Sequence, residues 1–227
     1  MNTTEFAGFP ADIAEFFADL TANNNKTWFD AHRQEYLDYV KQPAEAFADA
    51  MTERLVEIAA GPPPRSWIFR INRDIRFSKD KTPYKTHVGI AFGDPAGKKD
   101  ESPGFYFHFE PPTVFVGAGM HTFPKPVLER YRETVGDEAE GARLTAVLDE
   151  VRAAGPYEVW GETYKRVPPG FPPDHPHADL LRYGGLFAGL TLTDPPGMYT
   201  ADLLELCVKH YQATAPIQRW LAQIMGR

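Results

Sequence analysis

Seven cations fall between positions 65 and 87: Arg65, Arg70, Arg73, Arg76, Lys79, Lys81 and Lys85. Only Asp74 and Asp80 oppose them, so the stretch carries a formal +5 within a chain of net charge −7 and leaves −12 for everything else. Cations gathered in this way make an anion-binding surface, and arginine offers a planar fork that matches phosphate or carboxylate oxygens. The same stretch interleaves Trp67, Phe69, Ile71, Ile75, Phe77 and Tyr84, so it is core material as well. A guanidinium beside packed apolar groups needs a partner, because an unpaired buried charge is costly, and two aspartates supply only part of that pairing. The sequence therefore predicts a pocket for a small phosphate- or carboxylate-bearing ligand, lined by Arg70, Arg73, Arg76, Lys79, Lys81 and Lys85 with His87 beside them. Two alternatives stand next to it. In one, carboxylates neutralise every cation and the network is purely structural. In the other, the cations track a nucleic-acid backbone, or a protein partner, while Trp67 or Tyr84 stacks on bases.

A second set of chemistry-bearing residues lies in GFYFHFE, where Tyr106, His108 and Glu110 recur at two-residue spacing. On a strand that spacing puts all three on one face. His108 and Tyr106 are the acid–base candidates if the chain is an enzyme, with Glu110 orienting the imidazole; the plainer reading is a hydrogen-bonded histidine under a helix. His87 meets His108 if their strands pair, but the register is not derivable from sequence. Arg33, five residues after Trp28, is a minor candidate for the edge of the same pocket. No glycine-rich phosphate loop, GxSxG elbow, HExxH or paired-cysteine spacing occurs, and His121, His175 and His177 lack metal-ligand spacing. No metal or cofactor is expected. The one cysteine, Cys207, lies in the apolar run LLELCVKHY and reads as a buried thiol with no base nearby.

These residues need elements to hold them. Apolar spacing predicts helices over 10–23, 26–41 and 43–60, the last opened by Pro43 and stopped by Gly61 and three prolines. After Pro64 the period becomes two, and a strand is predicted from Trp67 to Phe77, with Trp67, Phe69, Ile71, Arg73, Ile75 and Phe77 on one face. SKDKTP is a turn, 87–92 a short strand, and 93–104 a surface loop. GFYFHFE and TVFVGAGM form an antiparallel hairpin across Pro111 and Pro112. Helices follow over 126–135 and 138–153, then a second hairpin around Gly161, a proline-rich loop, a helical turn at 177–182 and a strand in GLFAGLTLT. A closing helix over 200–224 is expected to break near Pro216. The order describes an α+β protein with a largely antiparallel sheet, N-terminal helices, two mid-chain helices and a C-terminal helix.

At 227 residues with 43% hydrophobic content, a single domain over 1–227 is expected. No apolar run approaches the roughly 20 residues that span a bilayer, and MNTTEFAGF lacks the features of a signal peptide, which predicts a cytoplasmic protein without a membrane partner. The acidic balance makes general nucleic-acid binding the lesser expectation. Nothing in the sequence specifies an oligomeric state.

The block RDIRFSKDKTPYKTH resembles the signature of a bacterial family of conserved hypothetical proteins, a domain of unknown function. NNNKTWFDAHRQEY, GFYFHFEPPTVFVGAGM and YKRVPPGFPPDHPHADLL are similar to its other recurring blocks, so the likeness spans nearly the whole chain. The resemblance implies that the SKDKTPYK block and the strand bearing His108 belong to one architecture. It carries no reaction, substrate or cofactor.

Overall fold

The computed structural model describes residues 5–97, 102–162 and 164–226. Helix α1 (Asp12–Ala22) buries Ile13, Phe16, Phe17 and Leu20, the apolar stripe of its sequence. The asparagine run ends it, and Asn25 caps α2 (Lys26–Ala31) by accepting the Trp28 amide at 3.0 Å. One turn of α3 (Arg33–Glu35) leads into a π-helical stretch, Tyr36–Lys41, and then α4 (Gln42–Leu55). The expected second helix is thus divided, and the third begins at Gln42 with Pro43 in its first turn. Pro43 has no amide to donate, and the Gln42 amide reaches back five residues to the Leu37 carbonyl, which carries the backbone into α4 without a break.

Six strands form one antiparallel sheet among the described residues, in the order β1-β2-β3-β4-β6-β5. They are β1 (Arg65–Ile68), β2 (Val88–Gly93), β3 (Gly104–Glu110), β4 (Thr113–Met120), β5 (Glu158–Glu162) and β6 (Tyr183–Thr193). The hairpin of β3 and β4 turns across Pro111 and Pro112, as their sequence predicts. Of the loop expected over 93–104, residues 98–101 lie outside the described residues.

Alternation decides what each face of the sheet does. Phe105, Phe107 and Phe109 on β3 register with Phe92, Ile90 and Val88 on β2 and with Ala118, Val116 and Val114 on β4. All nine are buried, and with α1, α4 and α8 (Asp202–Ile224) they build one hydrophobic cluster. A second cluster joins α5 (Lys125–Gly136), α6 (Glu138–Ala154), the one-turn α7 (Ala178–Leu181) and the C-terminal half of α8 to Leu186 and Ala188 of β6. Gln218 ties α8 to the chain just past α4, accepting from the Ala60 amide at 2.9 Å and donating to its carbonyl at 3.1 Å. Cys207 is fully buried on α8, and burial pushes its thiol up, away from the thiolate. No helix of the described residues is long and apolar enough to cross a membrane.

Three local expectations are corrected. Helix α8 runs through Pro216 without interruption. The lost hydrogen bond belongs to the carbonyl of the exposed Gln212, where water can replace it, while buried Ala215, Ile217 and Gln218 hold the helix on both sides. Among the described residues Gly161 lies inside β5 and not at a hairpin turn; β5 pairs with β6 instead. A Cβ at Gly161 would lie 2.3 Å from the Gly185 carbonyl and 2.6 Å from the Tyr183 ring, so this glycine marks a close strand approach and not a turn.

The third correction concerns the basic stretch. The strand expected to reach Phe77 ends at Ile68, and residues 69–87 form an irregular strap that runs out and back. Its two arms are joined by the Asn72–Tyr84 bridge and by the bonds Arg73 N–H to Pro83 O and Lys85 N–H to Ile71 O, both 2.8 Å. Carboxylates turn the tip: Asp80 accepts the Thr82 amide at 2.9 Å, and Asp74 the Arg76 amide at 3.2 Å. Phe77, expected on the apolar face, is 94% exposed.

Candidate functional site

The helices cover one face of the sheet, and the other is hollow. A cleft of about 1040 Å³ opens on it, with Phe69, Tyr106, His108, Glu110, Phe115, Trp160 and Phe187 among its lining side chains. Tyr106 and His108 reach it because the phenylalanines alternating with them on β3 point into the core. The aromatic rings form a continuous floor. Ring centroids are 5.9 Å apart for Phe69–Tyr106, 6.2 Å for Tyr106–Phe115, 5.8 Å for Phe115–Trp160 and 6.1 Å for Trp160–Phe187.

Glycines let these rings lie against the backbone. A Cβ on Gly189 would come within 2.5 Å of the Phe115 ring, and one on Gly117 within 2.5 Å of the Phe187 ring. The sequence reading missed Phe115, Trp160 and Phe187, although the glycine-and-aromatic alternation of TVFVGAGM and GLFAGLTLT carried the signal.

At one end of the floor stand the polar groups. The register pairs Gly89 with His108 and Val88 with Phe109, which places His87 one residue beyond that pair and beside Glu110. The rings of His87 and His108 lie 4.2 Å apart. His108 Nε2 is 3.3 Å from Glu110 Oε2, and its Nδ1 is 3.4 Å from the Tyr106 hydroxyl. Burial, with His108 next in weight, lowers the His87 pKa to about 4, so this imidazole is neutral at pH 7. Burial also raises the Tyr106 pKa, which keeps its hydroxyl protonated. A neutral imidazole and a phenol within reach of a His–Glu pair can donate or accept a proton at a bound molecule.

The cations are arranged differently from the expected lining. Among the described residues, none of Arg70, Arg73, Arg76, Lys79, Lys81 and Lys85 borders the cleft itself. Arg76 forks onto Asp74, with Nε–Oδ1 at 2.9 Å and Nη2–Oδ2 at 2.7 Å. Arg73, only 27% exposed, pairs with Asp80 and the Thr82 hydroxyl, and the Thr82 amide together with Arg73 holds the Asp80 pKa down at about 2. Lys81 donates to the Ile75 carbonyl at 2.8 Å. Arg70 and Lys79 are exposed, and Arg70 lies near enough to Asp74 to help lower its carboxyl pKa.

Of these six, Lys85 approaches the cleft. Its ammonium sits 5.3 Å from the centroid of Phe69, a lining ring, and with Arg73 it acts on His87 through space. Arg33, the minor candidate, pairs with Asp30 on the N-terminal helices at 3.2 Å.

Residues 12–220 match the conserved hypothetical protein family DUF2461. The chain belongs to DUF2461. A search of curated proteins found no match. In this DUF2461 protein the N-terminal asparagine run and the basic block meet in space. The Asn24 side chain donates to the Tyr84 carbonyl and accepts the Tyr84 amide, both at 3.0 Å, while the Tyr84 ring stacks on Phe29 at 4.1 Å. Tyr84 is therefore buried and cannot stack on a base. Asn24→Ala should cost about 1–3 kcal/mol, because it strips the partners from both the N–H and the C=O of Tyr84. Urea unfolding measures that loss, and faster amide exchange confined to the strap shows where it acts.

Proposed function

We propose that this DUF2461 protein binds a small molecule with a flat aromatic or apolar body and a carboxylate or phosphate head. The body lies on the floor of Phe115, Trp160 and Phe187, and the head sits at the His87–His108 end, where Lys85 approaches. The observation that carries this reading is the position of the cleft: an aromatic hollow on the helix-free face whose polar end adjoins the basic strap. Ligand sites are commonly concave and mostly apolar, with a few convergent polar groups that fix orientation. If the bound molecule is transformed, His108 and Tyr106 are the acid–base pair, since their polar atoms face each other at the cleft wall. Arg73 and Arg76, already paired with carboxylates, shape the strap more than they grip a ligand.

A thermal-shift series tests this. Full-length protein is heated with aromatic carboxylates and phosphates, with the same rings lacking the charge, and with the free anions. A ligand present at 100 times its Kd adds about 2.7 kcal/mol, a rise of several degrees for a chain of this size. The ringed anion should give the largest shift, and Trp160→Ala and Lys85→Ala should each weaken its binding by about tenfold or more. Equal shifts from free anions in wild type and Trp160→Ala would move the site off the aromatic floor. Tight binding of single-stranded oligonucleotides, falling steeply with salt, would favour the nucleic-acid alternative.

A further inference from the structure

His87, His108 and Glu110 each offer one ligand atom, and the three atoms lie within 4.8 Å of one another. The geometry points to a binding site for a divalent first-row transition ion of the zinc class, held by these three side chains and open to the cleft on its remaining positions. The donor set selects the ion: two imidazoles and a carboxylate suit zinc, cobalt or nickel, whereas calcium and magnesium take oxygen. Bonds of about 2.0–2.1 Å separate neighbouring donors by roughly 3–3.5 Å. His108 Nε2 and Glu110 Oε2 already stand at 3.3 Å.

The supports are those of a built site. His108 and Glu110 project from the same face of β3, and His87, the last residue of the strap, immediately precedes β2, whose pairing with β3 brings it beside them. With Nε2 turned to the ion, His108 presents Nδ1 to the Tyr106 hydroxyl, the outer hydrogen bond that orients a metal-bound imidazole. Among the described residues no hydrogen bond engages the His87 ring, which lies against the His108 imidazole at 4.2 Å. The other clustered histidines are differently employed. The Nε2 atoms of His175 and His177 face the Gly136 and Glu138 carbonyls at 3.1 and 3.0 Å, which makes them loop anchors.

Glu110 supplies one negative charge, so a bound dication leaves the site net positive beside Lys85 and Arg73 and would draw an anion toward the cleft. The site stands on the three side chains and not on the ligand reading. It is titrated with no organic ligand present, so either conclusion can fail alone.

Chelator-stripped full-length protein is titrated with Co2+, followed by its visible absorption, and then competed with Zn2+ under calorimetry. One ion per chain is expected. His108→Ala and His87→Ala should each weaken it by about 100-fold or more, and Tyr106→Phe by about tenfold. Glu110→Gln, at a half-exposed side chain, should also weaken it. His121→Ala, at an exposed position, should leave the affinity unchanged. Zinc-edge X-ray absorption of the wild type should read two imidazoles, and this result needs no variant to fold. Absence of stoichiometric binding, affinity indifferent to His87 and His108, or an ion with sulfur or all-oxygen ligands would overturn the proposal.

Discussion

Phe107→Ala should lower the unfolding free energy by about 3–5 kcal/mol, while His108→Ala, one residue along β3, should change it by less than about 1 kcal/mol. The contrast follows from the pleat. Phe107 is fully buried; its ring lies 4.2 Å from that of Phe47 on α4 and 6.2 Å from that of Phe9, and it registers between Ile90 and Val116. Removing the ring leaves a cavity walled by two strands and a helix, and a sheet anchored on both sides cannot collapse into it. His108 faces the cleft, where water replaces whatever the imidazole gave up. Urea denaturation of the two variants measures both values. Equal losses would mean that the hollow face is packed and that His108 belongs to a core.

That division of faces was legible in sequence because strand alternation is a local property. GFYFHFE alternates without exception, and the structure sends its phenylalanines inward and Tyr106 and His108 outward. The helices were legible for the same reason, since the buried residues of α1 are those that its spacing selects. The α+β class with an antiparallel sheet follows from the order of these segments.

What sequence could not give depends on distant partners. The approach of His87 to His108 is a matter of register between strands joined by a long loop, and no local rule fixes register. The cleft floor is assembled from β3, β4, β5 and β6, so Trp160 and Phe187 had no visible relation to Tyr106. The basic stretch misled because its alternation is real but unsupported. Pro83 cannot donate to a ladder, and Asp74 and Asp80 capture the amides of Arg76 and Thr82, so the chain turns before a second strand can pair. Each of the two aspartates sits where a particular guanidinium ends, so Arg73 and Arg76 are the cations they take up.

The cleft itself depends on a residue with no side chain. Gly119→Ala should cost roughly 3 kcal/mol or more and should abolish the ligand-induced thermal shift, because the added methyl has no room and the backbone no allowed alternative. Gly119 has φ +135°, a conformation that L side chains rarely adopt, and a Cβ there would lie 2.2 Å from the Leu186 carbonyl and 2.8 Å from Phe187 Cα. Both obstacles are backbone atoms of β6, so relief requires β4 and β6 to part at the Gly119–Phe187 pair. Phe187 then carries its ring away from Trp160 and Phe115, the rings on which it leans at 6.1 and 6.2 Å. Gly89→Ala is the matched control. Its Cβ would meet the Tyr106 hydroxyl at 2.9 Å and the Phe69 ring at 3.7 Å, both side-chain atoms, so a small side-chain shift absorbs it at a cost within about 1 kcal/mol, which makes it a control for stability. Urea unfolding and the thermal-shift series on the two variants separate the outcomes. A Gly119→Ala protein that keeps both stability and ligand response would mean that the floor is not set by the close approach of β4 and β6.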